Sequence, residues 1–191
     1  MMKKVILPAL LVAAVASTPA MADSFGYGLG NASVKTGGVS YSGITYNLGA
    51  KVAMSDDIAL VVDYASGKLK KTGQTNVDYA ASYVGIQYAA FDMGSAVLSV
   101  NLGSANVSTK QGATKVATSV TESGARFGIG LTTSLSDTAS LQVNIDRDTS
   151  ADITVTALDL TFEVGENMDL TIQAANATDY SAYSVGLSHG F

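Results

Sequence analysis

Beyond residue 22, apolar and aromatic side chains recur at every second position in ten short stretches. Phe25, Tyr27 and Leu29 open the first, and Ile44, Tyr46, Leu48, Ala50, Val52 and Met54 carry the second. The pattern returns from Ile58 to Tyr64, Val84 to Ala90, Leu98 to Leu102, Phe127 to Leu131 and Leu141 to Ile145. It closes with Leu158 to Val164, Leu170 to Ala174 and Tyr183 to Phe191. A period of two puts successive side chains on opposite faces, so each stretch predicts a strand with one apolar face. Gly, Ser, Thr, Asn and Gln fill most alternate positions. The last stretch keeps the alternation to its final residue, where a soluble chain usually frays into polar residues.

The connectors alternate too. Ser55-Asp56-Asp57, Asp92-Met93-Gly94, Ser136-Asp137-Thr138 and Gly165-Glu166-Asn167 are short and acidic, and predict tight turns. The others, near 33–38, 67–78, 104–121, 148–153 and 176–181, hold most of the lysines and read as loops. Four turns and five loops require ten antiparallel strands with both ends on one side. Short turns at one end and longer loops at the other are the layout of bilayer-spanning β-barrels.

Composition decides what the apolar face meets. A mean hydropathy of +0.26 with 14% charged residues is too apolar for an ordinary soluble surface. Yet no run of about 18 apolar residues follows residue 22, so membrane helices are excluded. A closed barrel is the other way to satisfy every backbone group in lipid. The expected fold is all-β: a transmembrane up-and-down barrel over residues 23–191, apolar outside and polar within. Ahead of it, basic Met1-Met-Lys3-Lys4, apolar Val5 to Val15 and Ala20-Met21-Ala22 read as a signal peptide over residues 1–22. The absence of cysteine excludes disulfides and a lipid-modified cysteine.

With these residues in view, the chain resembles the small outer-membrane β-barrel proteins of Gram-negative bacteria, the OmpA/OmpX-like and porin-like group. Tyr183, Gly186, Leu187, His189 and Phe191 are similar to that group's terminal assembly signal, with His189 standing where an aromatic is commoner. The resemblance implies the outer membrane as destination, reached through the periplasm with help from the barrel-assembly machinery. It also implies contact with outer-membrane lipid and lipopolysaccharide, and a monomer. Many members have eight strands, so eight stays open beside ten.

Strand parity places Lys51, Asp63, Glu122, Arg126, Asp146, Asp159 and Glu163 in the lumen. Setting Leu131 opposite Leu141 brings Arg126 against Asp146, and Lys51 falls diagonal to Asp63. Five acids facing two bases read either as structural pairs in a narrow core or as a cation-favouring pore. Lys68, Lys70, Lys71, Lys110 and Lys115 read as solvated loop charge or as attraction to a phosphate-rich outer leaflet. Catalysis finds little footing: the one histidine, His189, falls on the predicted lipid side. Gly26-Tyr-Gly28-Leu-Gly30 and Gly128-Ile-Gly130 do not lead a strand into a helix, so no nucleotide loop is indicated. No cluster has metal-ligand spacing, and no cofactor is expected. All 16 acids, but not Lys3 and Lys4 among the 11 bases, lie beyond residue 22, which argues against nucleic acid. The expected role is structural or surface-interacting, with a narrow passive pore as the alternative.

Overall fold

The computed structural model describes residues 23–36, 39–71, 75–111 and 118–191; the expected signal peptide lies outside the described residues. Ten antiparallel strands follow one another: β1 (Ser24–Thr36), β2 (Val39–Ala53), β3 (Ile58–Leu69), β4 (Val77–Asp92), β5 (Ala96–Gln111), β6 (Thr118–Ser136), β7 (Ala139–Asp148), β8 (Ile153–Gly165), β9 (Met168–Ala177) and β10 (Tyr180–Gly190). Each pairs with its sequence neighbours, and β1 pairs with β10 from Ser24↔Gly190 to Val34↔Tyr180, closing the barrel. The count is ten, not eight. The end that holds Ser24, Gly190 and the four short turns corresponds to the periplasmic side in the layout of outer-membrane barrels.

The strands tilt. Pairing followed from Ser24 runs through Lys51, Val61, Gly85, Gly103 and Arg126, and arrives at Asp148, the last residue of β7. Such stagger is what closing a sheet into a barrel requires. The tight turns need left-handed residues at their corners. Gly94 (φ 80°) and Asn167 (φ 57°) supply them on the periplasmic side, Asp152 (φ 54°) and Asp179 (φ 61°) on the other. These are residue types that reach positive φ at low cost. Register shifts at Ala89/Phe91, Ser134/Ser136 and Glu163/Gly165 all fall just before periplasmic turns.

Over the periplasmic two-thirds of the barrel the predicted facing holds. Tyr27, Tyr46, Ile129 and Val185 are at least half exposed around the outside, while Thr45, Asn47, Gln142 and Thr171 are buried inside. Toward the extracellular end the phase reverses. Leu29 points out, but Ala32 and Val34 point in; Leu102 points out, but Ala105 and Val107 point in. The same step separates Tyr64 from Ala65, Val84 from Tyr83, Leu158 from Ala157, and Tyr183 from Ala182. Above the lipid a strand meets water, so its outer face turns polar and its inner face becomes an ordinary apolar core.

This reversal corrects the expected loops. Residues 104–111 and 118–121, read as loop, are strand, as are 33–36, 67–69, 77–78, 148, 153, 176–177 and 180–181. Ser104, Asn106 and Ser108 look like loop composition only while apolar residues are sought at the even positions. Their alternation with Ala105 and Val107 is intact, in the opposite phase.

A charge should therefore cost very different amounts at two outward positions of β5. Val100→Arg, in the lipid-facing band, should destabilise by about 2–4 kcal/mol, whereas Asn106→Arg, above it, should be nearly neutral. Urea unfolding in phosphatidylcholine vesicles measures both; equal losses would overturn the reversal.

Candidate functional site: the lumen and its rims

One arginine organises the middle of the lumen. Arg126 on β6 donates from Nη2 to Asp146 Oδ2 on β7 at 2.8 Å, with the two side chains 13% and 6% exposed. Its guanidinium also lies 5.1 Å from the ring centre of Tyr83 on β4, within range of a cation–π contact. Asp63 on β3 and Asp159 on β8 also face the lumen. Asn144 Nδ2 donates to Asp159 Oδ2 at 3.2 Å, and Gln142 Nε2 donates to Asn144 Oδ1 at 2.8 Å. Beyond them, Ser184 donates to Gln173 at 3.2 Å, and the hydroxyls of Thr161 and Thr171 share a 3.0 Å bond. Oδ1 of Asp63, Asp146 and Asp159 has no hydrogen-bond partner among the described residues.

The expected Arg126–Asp146 pair is present, but the register that suggested it is not. Leu131 faces Val143, two residues from Leu141, so Arg126 sits directly opposite Asp148 and Asp146 opposite Gly128. The ion pair is diagonal. Glycine makes the diagonal possible: a Cβ on Gly128 would collide with the Asp146 carboxylate. Asp148 is occupied elsewhere, accepting from Ser150 N at 2.8 Å and Ser150 Oγ at 2.5 Å in the β7–β8 turn. Lys51 is diagonal to Asp63, since Gly49 faces Asp63, but no ion pair joins them. Lys51 is buried near the periplasmic mouth instead. Glu163 points inward only at that mouth, exposed and directly opposite Asp169, and Glu122 lies at the far end opposite Val107.

Above the polar layer sits one that was not foreseen. Tyr41, Tyr79, Tyr83 and Tyr180 are each 5% exposed and pack with Val34, Leu69, Val77, Val107 and Val155. Glycine again clears the space: Tyr83 lies over Gly85 and Gly103, where added Cβ atoms would strike its ring. A void beside Tyr79 and Tyr180, also lined by Asn47 and Gln173, has about 20 Å³, room for roughly one water molecule. The signal was present in the sequence as Val77-x-Tyr79-x-Ala81-x-Tyr83, the reversed phase.

The two rims differ. Between the β2–β3 and β4–β5 turns lies a broad, open depression of about 800 Å³ bearing Asp56, Asp57 and Asp92. At the other end Lys68, Lys70, Lys71 and Lys110 are exposed, and Lys68 reaches Asp78 at 3.4 Å. Lys115 lies outside the described residues. In the terminal stretch Tyr183, Leu187 and His189 face outward and Gly186 inward, while Phe191 ends the chain 77% exposed. His189 Nδ1 meets the Asn167 carbonyl at 2.8 Å, fixing its ring at the periplasmic edge of the lipid-facing surface. Among the described residues no group of three or more histidines and acids is arranged to hold a metal.

No family model matches this chain, and no curated protein matches it. Solved structures do. Neisserial surface protein A is 12% identical, with 90% of this chain and 99% of that one aligned and a TM-score of 0.51. The translocator domain of the autotransporter NalP from Neisseria meningitidis is 15% identical, with 92% and 89% aligned and a TM-score of 0.51. The β domain of the Bordetella autotransporter BrkA is 10% identical, with 90% and 100% aligned and a TM-score of 0.53. The class is thereby defined: the chain has the fold of the outer-membrane β-barrels.

The buried pair makes a measurable claim. Arg126→Ala strands Asp146 in a low-dielectric interior and should cost about 3–5 kcal/mol, more than Arg126→Ala with Asp146→Ala together. A double-mutant cycle on urea unfolding reads the coupling. Gly128→Ala should weaken the same pair by displacing the Asp146 carboxylate.

Proposed function

We propose that this protein is a closed outer-membrane barrel with a structural or surface-interaction role in the cell envelope, and not a solute channel. The observation that carries the reading is the stacking of two filled layers, the Arg126 network and the tyrosine layer above it. A passive pore needs water through both. The void beside Tyr79 and Tyr180 has room for about one water molecule. Substrate-side chemistry is equally unfavoured, since the single histidine is spent on a backbone carbonyl at the lipid boundary.

The pore reading draws on the acidic lumen and the acidic depression at the periplasmic mouth, which would favour cations. It requires the tyrosines to move. Planar-bilayer recording of the refolded protein separates the two. The closed reading expects no stable conductance from the unaltered protein, and none from Tyr79→Ala with Tyr83→Ala while the Arg126 layer remains. Steady, cation-selective steps from the unaltered protein would establish the pore instead.

The terminal residues support a biogenesis role in the same proposal. Phe191 is exposed in the folded barrel, and its amide donates to the Asp23 carbonyl at 3.2 Å. Its ring therefore adds little to the folded state and is available to the assembly machinery before folding. Deleting Phe191 should leave refolding into detergent unchanged but deplete the protein from the outer membrane of cells, as fractionation would show. Normal surface levels would remove the terminal handle.

A further inference from the structure

The outer wall formed by β3, β4, β5 and β6 is stratified. Its cross-strand rows read upward as Leu60↔Ile86↔Leu102↔Phe127, then Val62↔Val84↔Ser104↔Ala125, then Tyr64↔Ser82↔Asn106↔Ser123, then Ser66↔Ala80↔Ser108↔Thr121, and finally Lys68↔Asp78↔Lys110. Apolar side chains give way to one aromatic among hydroxyls and an amide, and these give way to two lysines flanking one acid. Lys68 stands four residues above Tyr64, about 13 Å along the strand.

Between the apolar rows and the lysines the wall is indented. A depression of about 160 Å³ is floored by Ala80, Ser82 and Ser108 and bounded by Tyr64, Asn106 and Thr121. It exists because Ala80 and the serines are short where their neighbours are not. It opens outward, toward whatever surrounds the barrel, and is continuous with the lipid-facing surface below. Its chemistry is that of a sugar site: an aromatic face for C–H groups, with hydroxyls and an amide to exchange hydrogen bonds.

We propose that this depression binds the sugar headgroup of a phosphorylated glycolipid of the outer leaflet. Acyl chains lie along Leu60, Ile86 and Leu102, a sugar ring fills the indentation against Tyr64 and Asn106, and phosphates on the sugar meet Lys68 and Lys110. Order and charge both argue for this occupant. An anionic phospholipid would place its phosphate beside the last apolar row, where this wall offers hydroxyls and an amide but no cation. The lysines stand beyond a sugar-sized interval, and Asp78 holds Lys68 while leaving the row with net positive charge. The site stands on the outer surface, so it does not depend on whether the lumen conducts.

The test uses the full mature chain refolded into phosphatidylcholine vesicles, with lipopolysaccharide, dephosphorylated lipopolysaccharide or phosphatidylglycerol added as probe. Thermal unfolding followed by circular dichroism reports binding. Lipopolysaccharide should raise the melting temperature, and phosphatidylglycerol should raise it less. Lys68→Gln with Lys110→Gln should weaken lipopolysaccharide binding about tenfold, the worth of one charge-assisted contact, and abolish the preference for the phosphorylated form. Ala80→Leu, which fills the indentation from outside, should remove the lipopolysaccharide effect but leave that of phosphatidylglycerol. Both variants change outward positions, exposed at Lys68 and Lys110 and half-buried at Ala80, and gel mobility before and after heating verifies that they fold. Equal stabilisation by the two lipids, or an Ala80→Leu variant that responds like the unaltered protein, would overturn the site.

Discussion

Everything in this molecule follows from the need to pair backbone groups where no water can reach them. An unpaired amide or carbonyl in hydrocarbon costs several kcal/mol, so an open sheet edge cannot sit in a bilayer. The β1–β10 ladder removes that edge through eleven residue pairs, from Ser24↔Gly190 to Val34↔Tyr180. The chain's alternation to its last residues is a requirement of that seam. Once the ring is closed, side chains are free to satisfy three surroundings in turn: lipid outside, a narrow lumen inside, and water above.

Much of this was legible in the sequence because the period of two is strict and the turn residues are explicit. The ten strands, the four periplasmic turns and the inward facing of Arg126, Asp146 and Asp159 could be read directly. Most of what failed shares one cause: a single phase was assumed along each strand. Tyr83 and Val84 are adjacent, yet one belongs to the interior and the other to the lipid face. A strand crossing from oil to water changes which face should be apolar, so its phase must slip there. The register of β6 and β7 was missed for another reason. Matching large residues put Leu131 against Leu141, whereas the pairing depends on Gly128 being small.

Glycine has a common use in the interior. Gly128 accommodates a carboxylate, and Gly85 and Gly103 accommodate a phenol ring. In a barrel this narrow, the lumen cannot hold a full side chain at every inward position. Alternating absent and large side chains fills it without strain, much as large and small residues alternate in a well-packed core. The polar layer and the tyrosine layer thus come from one packing rule applied to different chemistry.

The strands are unequal in length, and this has a geometric consequence. β4, β5 and β6 run 16, 16 and 19 residues, whereas β7, β9 and β10 run 10, 10 and 11. The rim is therefore cut obliquely, high on one flank and low on the other. A symmetric cylinder in a membrane looks the same from every compass bearing. This one has a front and a back, so its neighbours in the plane of the bilayer meet different surfaces according to the direction of approach.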